Sequence, residues 1–107
     1  MSEIDQLIQE IRAFAQSRDW EKFHTPKNLA MAITGEAGEL AAEFQWLTAE
    51  QSMLTSLSSE KLQAIAYEVA DVLIYLLGLA DVLEINVSNA IREKVIINRD
   101  RTWKFSD

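Results

Sequence analysis

Five carboxylates are set apart by their spacing. Glu36, Glu39 and Glu43 stand at i, i+3 and i+7, and Glu68 and Asp71 stand at i, i+3 about thirty residues later. Side chains three and four apart share one face of a helix, so each segment offers a short acidic stripe. Two such stripes facing each other bring four or five carboxylates to one place, where they repel and raise one another's pKa unless a cation lies between them. All-oxygen ligands suit Mg²⁺, with Mn²⁺ as a substitute, or Ca²⁺, rather than zinc or copper. No EF-hand spacing is present. The single histidine, His24, is not in the Glu-x-x-His pattern of a di-iron bundle. Mg²⁺ completes its shell with water and substrate phosphates, so the expectation is a hard-metal site between two helices that serves phosphate chemistry.

The plain alternative is a solvated helix face. Against it, Glu68 and Asp71 share their stripe with Ala64, Tyr75, Leu79 and Val82, and Lys61 is the sole basic residue of that helix. An unpaired buried carboxylate is costly. Gly35 and Gly38 also fall inside the first acidic helix, where each costs ~1 kcal/mol relative to alanine. Close approach of a ligand or tight helix packing would account for them equally well.

Trp20, Phe23, His24 and Trp46 fall at helix ends rather than in core stripes. They either cap the core or offer flat faces on which a nucleobase stacks. Tyr75, one turn beyond Asp71, can line the same pocket, whereas His24 taken alone reads as structural. Lys94, Arg99 and Arg101 form a basic group suited to outer phosphates, or simply to the dipole of a helix C-terminus.

The elements that carry these residues are all helical. Glycine (three) and proline (one) are scarce in the 107 residues, and strand-type alternation is absent, which predicts a single all-α domain over 1–107. Ser2 caps a first helix to about Gln16. Thr25-Pro26 starts a second to about Trp46, with the apolar stripe Leu29, Ile33, Leu40, Phe44 and Leu47. A polar, serine-rich connector leads to Ser58 or Ser59, either of which caps a third helix over about residues 60–83. That helix is apolar on nearly every side and calls for burial by a second subunit. Asn86 caps a fourth over about residues 87–100, with Val87, Ile91, Lys94, Val95 and Asn98 inward. The net charge of −7 argues against a nucleic-acid polymer as partner. The nine-residue apolar run 72–80 is too short to span a membrane, and the N-terminus lacks signal-peptide character. Cytoplasmic location is the default expectation. Without cysteine, neither disulfides nor thiolate ligands are available.

The paired E-x-x-E and E-x-x-D motifs on successive helices sit among Arg18-Asp19-Trp20, Phe23-His24, Pro26-Lys27-Asn28-Leu29, Phe44-Gln45-Trp46, Asp71-Val72-Leu73-Ile74-Tyr75 and Lys94 with Asn98-Arg99. Over nearly the whole chain this resembles the MazG-like nucleoside triphosphate pyrophosphohydrolases, nearest to their small dCTP pyrophosphatase branch. The resemblance implies a four-helix bundle completed by homodimerisation, often as a dimer of dimers. It implies Mg²⁺ bound by Glu36, Glu39, Glu68 and Asp71. Trp20, Trp46, Tyr75 and Asn98 would form the nucleoside pocket, with His24 beside them, and Lys94 and Arg99 would hold phosphate. The implied reaction converts a dNTP and water to dNMP and diphosphate in nucleotide-pool house-cleaning, with Glu39 as the candidate catalytic carboxylate. Many superfamily members carry two adjacent glutamates in the first motif. Here the spacing differs, which leaves Glu43 open as a ligand. A dUTP-type or phosphoribosyl-ATP pyrophosphohydrolase is the enzyme rival, and a non-catalytic helical oligomerisation module is the rival of another class.

Overall fold

The caps set the element boundaries. In the computed structural model, which describes residues 1–101, four α-helices follow one another: α1 (Glu3–Ser17), α2 (Pro26–Ala42), α3 (Ser59–Val82) and α4 (Val87–Arg99), with 3₁₀ turns at Glu21–Phe23 and Leu54–Ser56. Residues 102–107 lie outside the described residues. Ser2 and Asp5 form a capping box, the Ser2 hydroxyl accepting from the Asp5 N–H at 3.1 Å. Thr25 accepts from the Asn28 N–H at 3.2 Å and Pro26 follows at the first helical position. Ser58 and Asn86 cap α3 and α4 in the same way, at 3.0 Å each. Each cap satisfies a donor that the helix itself leaves orphaned. No strand occurs among the described residues, so the all-α expectation holds.

α2 ends at Ala42, four residues before the expected Trp46. Neither glycine nor proline marks this stop. Instead the chain tightens into i→i−3 hydrogen bonds, Glu43 to Leu40, Phe44 to Ala41 and Leu47 to Phe44, and the Glu43 carboxylate turns to Lys61 Nζ at 2.9 Å. The connector that follows is a folded turn, in which Thr48 and Gln51 exchange side-chain-to-backbone bonds at 2.9 and 3.1 Å.

α1 and α3 end alike. Asp19 and Glu84 adopt left-handed φ values of 56° and 54°, and the following N–H groups of Trp20 and Ile85 reach back five residues to the carbonyls of Ala15 and Ala80, at 3.0 and 2.8 Å. These are Schellman turns built without glycine. In the first, the accompanying apolar contact is Trp20 on Phe14, edge to face at 5.3 Å between ring centroids.

α2 packs along α3, and α1 lies on the other part of α3. The expected α2 stripe is the inward face, with Leu29 buried and Ile33, Leu40, Phe44 and Leu47 half-buried. Only Leu29, Ile65 and Ala80 are buried outright among the described residues. α3 leaves Leu73, Leu76 and Val82 exposed, although its composition called for burial on nearly every side. α4 departs further from expectation. Ile91 and Val95, read as inward, are 53% and 49% exposed, and Ile96 and Ile97 are exposed with them, because α4 has no extensive packing against α2 or α3. The radius of gyration is 16.6 Å, against ~13 Å for a closed domain of this length.

Candidate functional site

The facing of α2 and α3 brings the acidic stripes together. One carboxylate oxygen from each of Glu36, Glu39 and Glu68 lies within 4.8 Å of the other two. Burial pushes the Glu36 carboxyl up from the ordinary glutamate range, and the negative charges of Glu39, Asp71 and Glu68 add to it. Glu68 is raised by burial first, then by Glu39, Asp71 and Glu43. Glu36 Oε2 and Glu68 Oε2 are buried without a hydrogen-bond partner, a costly condition for a carboxylate oxygen. Two orphaned oxygens in an all-oxygen donor set are what a hard divalent cation satisfies. Asp71 borders the cluster as a fourth carboxylate. Glu43 stands at its edge, held by Lys61.

Beside the cluster opens a cavity of about 500 Å³, lined from α1, the segment after it, α2 and α3, with α1 contributing Ile11, Arg12, Phe14 and Ala15. α2 contributes Leu29 and Glu36, the segment after α1 contributes Trp20, Glu21 and His24, and α3 contributes Asp71, Tyr75 and Gly78. Phe14, Trp20, His24 and Tyr75 form a row of rings, with successive centroids 5.3, 6.0 and 6.4 Å apart. The row is possible because the Schellman turn at Asp19 swings Trp20 back over Phe14, and the 3₁₀ turn then carries His24 to Tyr75. Flat apolar faces ending at a carboxylate cluster suit a ligand with a planar ring at one end and oxyanions with their metal at the other.

Of the residues singled out by sequence, Glu36, Glu39, Glu68, Asp71, Trp20, His24 and Tyr75 gather here. Trp46 does not. It is 87% exposed and lines a shallow depression with Leu47, Gln51, Leu57 and Lys61, since α2 stops before it. Lys94, Asn98 and Arg99 ride on α4 and do not line the cavity. Gly35 and Gly38 are exposed, and a Cβ on either would meet nothing within 4 Å, so tight helix packing within the protomer is not their reason. The sequence reading missed Phe14, Arg12, Gly78 and Asp81, all of which line the cavity. The interruption of an apolar helix by Gly78 and Asp81 was the one signal available.

A model of the MazG-like family matches residues 31–104, which include both acidic motifs. The chain belongs to the MazG-like family. It is 44% identical over 88 residues to dCTP pyrophosphatase 1 of Homo sapiens, covering 82% of this chain and 52% of that protein. It is 55% identical over 40 residues to the dATP/dGTP diphosphohydrolase of Cyanophage S-2L, covering 37% and 38% of the two chains. The chain spans about half the length of the human and other mammalian relatives that it matches. A crystal structure of a pyrophosphatase from Archaeoglobus fulgidus is similar throughout, with a TM-score of 0.81, 41% identity, and coverage of 92% of this chain and 90% of that one. Among the described residues, this MazG-like chain has no helix long and apolar enough to cross a membrane.

Proposed function

We propose that the chain is a Mg²⁺-dependent nucleoside triphosphate pyrophosphohydrolase, a single catalytic domain that converts a deoxynucleoside triphosphate and water to dNMP and diphosphate. The observation that carries this reading is the convergence of Glu36, Glu39 and Glu68, with two orphaned oxygens, at one end of an aromatic-walled cavity. The names of the human and phage relatives support the nucleotide substrate, and the human one supports dCTP.

In this reading Glu36, Glu39, Glu68 and Asp71 hold the cation. Mg²⁺ held there would supply positive charge to offset that of the triphosphate. Trp20, His24 and Tyr75 stack against the nucleoside. Glu39, the exposed member of the cluster, orients the attacking water or accepts its proton. The product removed is a surplus or non-standard nucleotide. Trp46, Lys94, Asn98 and Arg99 join the site across an interface with a second copy, as a homodimer or homotetramer. The exposed apolar residues of α3 and α4 support that association.

The test is a panel of dNTPs with Mg²⁺, with diphosphate resolved from orthophosphate, on the parent protein and on Glu68→Gln and Asp71→Asn. Diphosphate from the parent and its loss in both folded variants is the expected outcome. Absence of cleavage by the parent, or undiminished cleavage by the variants, would sink the reading in favour of a non-catalytic assembly module.

A further inference from the structure

The cavity has a second polar end. α3 presents Asp71, Ile74, Tyr75, Gly78, Asp81 and Val82 to it, a regular face that stretches ~15 Å along the axis from Asp71 to Asp81 at 1.5 Å per residue. At the far end Arg12 reaches across from α1, with Nη2 donating to Asp81 Oδ1 at 2.6 Å and Nε to Oδ2 at 2.9 Å. This fork uses two of the five guanidinium donors and leaves lone pairs on both carboxylate oxygens. The side chains remain 48% and 21% exposed, so a donor and an acceptor with capacity to spare stand together at the cavity's end. The separation from the acidic cluster is one that an extended nucleoside triphosphate can bridge.

Gly78 supplies an independent observation. Glycine inside a helix is unfavourable relative to alanine, yet a Cβ at Gly78 would meet nothing within 4 Å. No neighbour in the protomer therefore requires it. Gly35 and Gly38 are equally open, but Gly78 alone of the three lines the cavity. Its missing side chain leaves a strip of bare helix between Tyr75 and Asp81, against which a flat ring can lie.

We infer that Gly78, Arg12 and Asp81 form a base-selecting end of the cavity. The ring lies along Gly78, and the Arg12–Asp81 pair reads its edge, favouring a base with an exocyclic amino group beside a ring acceptor, as in cytosine. Asp81 accepts from the amino group and Arg12 donates to the neighbouring acceptor. A keto group in the amino position, as in uracil, sets one acceptor against another and is rejected. This rests on the nucleotide-hydrolase reading above and deepens it to the choice of base.

The test compares kcat/KM for dCTP and dUTP with Mg²⁺, on the full chain and on Asp81→Asn and Gly78→Ala. The parent is expected to prefer dCTP. The amide of Asp81→Asn can present either oxygen or nitrogen, so the dCTP-to-dUTP ratio should fall at least about tenfold, equivalent to 1.4 kcal/mol. Gly78→Ala should raise the Tm while raising KM for dCTP, opposite signs that a purely structural glycine would not give. If Asp81→Asn does not fold, Arg12→Lys, which keeps the charge but not the fork, should lower the same ratio. A dUTP-preferring parent, or an unchanged ratio in a folded, active variant, overturns the base-reading role. Gly78→Ala with an altered oligomeric state and an unchanged KM also overturns it. A parent that cleaves no nucleotide removes the hydrolase reading and this inference with it.

Discussion

α3 carries carboxylates at both ends of one cavity and the fold treats them in opposite ways. Asp81 meets a guanidinium from α1, and that hydrogen bond holds its carboxyl below the usual aspartate range. Glu68 meets Glu36, Glu39 and Asp71 instead, and burial and repulsion hold it above the usual glutamate range. One end is satisfied by the chain itself. The other keeps two carboxylate oxygens without a hydrogen-bond partner, which the proposed cation would satisfy. A half-buried acidic residue is thus informative through its partner rather than its type.

The comparison breaks most sharply on activity. Glu68→Gln and Asp71→Asn are each expected to lower kcat at least about 100-fold, the scale on which removal of one transition-state-stabilising group acts. Diphosphate release, with circular dichroism as a check on folding, measures this. An equal loss from a folded Glu10→Gln, at an exposed carboxylate of α1 that does not line the cavity, would show that the acidic end has no special role.

Next in size is the response to the ion. Mg²⁺ at 100 times its Kd adds about 2.7 kcal/mol, which corresponds to a Tm rise of roughly 10–20 °C in a domain of this size. The double variant Glu36→Gln/Glu68→Gln should be more stable than the parent without Mg²⁺ and insensitive to it. Asp81→Asn should keep the full Mg²⁺ response.

The two ends also carry opposite pH signatures. With native values raised, Glu36 and Glu68 bind more protons in the folded than in the unfolded state, so they destabilise the metal-free protein at neutral pH. That burden lifts as pH falls through the raised values toward the ordinary glutamate range. Asp81, with its native value lowered, stabilises the fold above the ordinary aspartate range, and this is lost as pH falls through the lowered value. Urea melts across pH without metal should therefore show stability first rising and then falling on acidification. With saturating Mg²⁺ the first phase should invert, because protons now compete with the ion.

The smallest effect is expected at Trp46, which is 87% exposed. Trp46→Ala should change stability by no more than about 0.5 kcal/mol at concentrations where sedimentation finds a single chain. A larger loss that appears only as the chains associate would show that a second copy covers it.

The same contrast explains what could be read from the sequence. Helix starts were legible because Ser2, Thr25-Pro26, Ser58 and Asn86 are local signals, each acting within three residues. The acidic end was legible because i, i+3 pairs fall in company that argues against water. The Arg12–Asp81 end was not, since its partners are 69 residues apart and the interruption of the apolar helix at Asp81 does not point to Arg12. The end of α2 at Ala42 was hidden for the same reason, because the Glu43–Lys61 pair that accompanies it is tertiary. α4 has no extensive packing against α2 or α3, and its cap and period encode where it starts rather than where it points.

The turn after α1 has a consequence for engineering. Position 20 is located by main-chain hydrogen bonds from Asp19 and Trp20 to Gln16 and Ala15, not by the indole that happens to occupy it. The wall between Phe14 and His24 is therefore a socket whose fitting can be exchanged. Other flat side chains placed there would present a face to the cavity from the same direction, so libraries aimed at the proposed nucleotide pocket can vary this residue while the frame stays fixed.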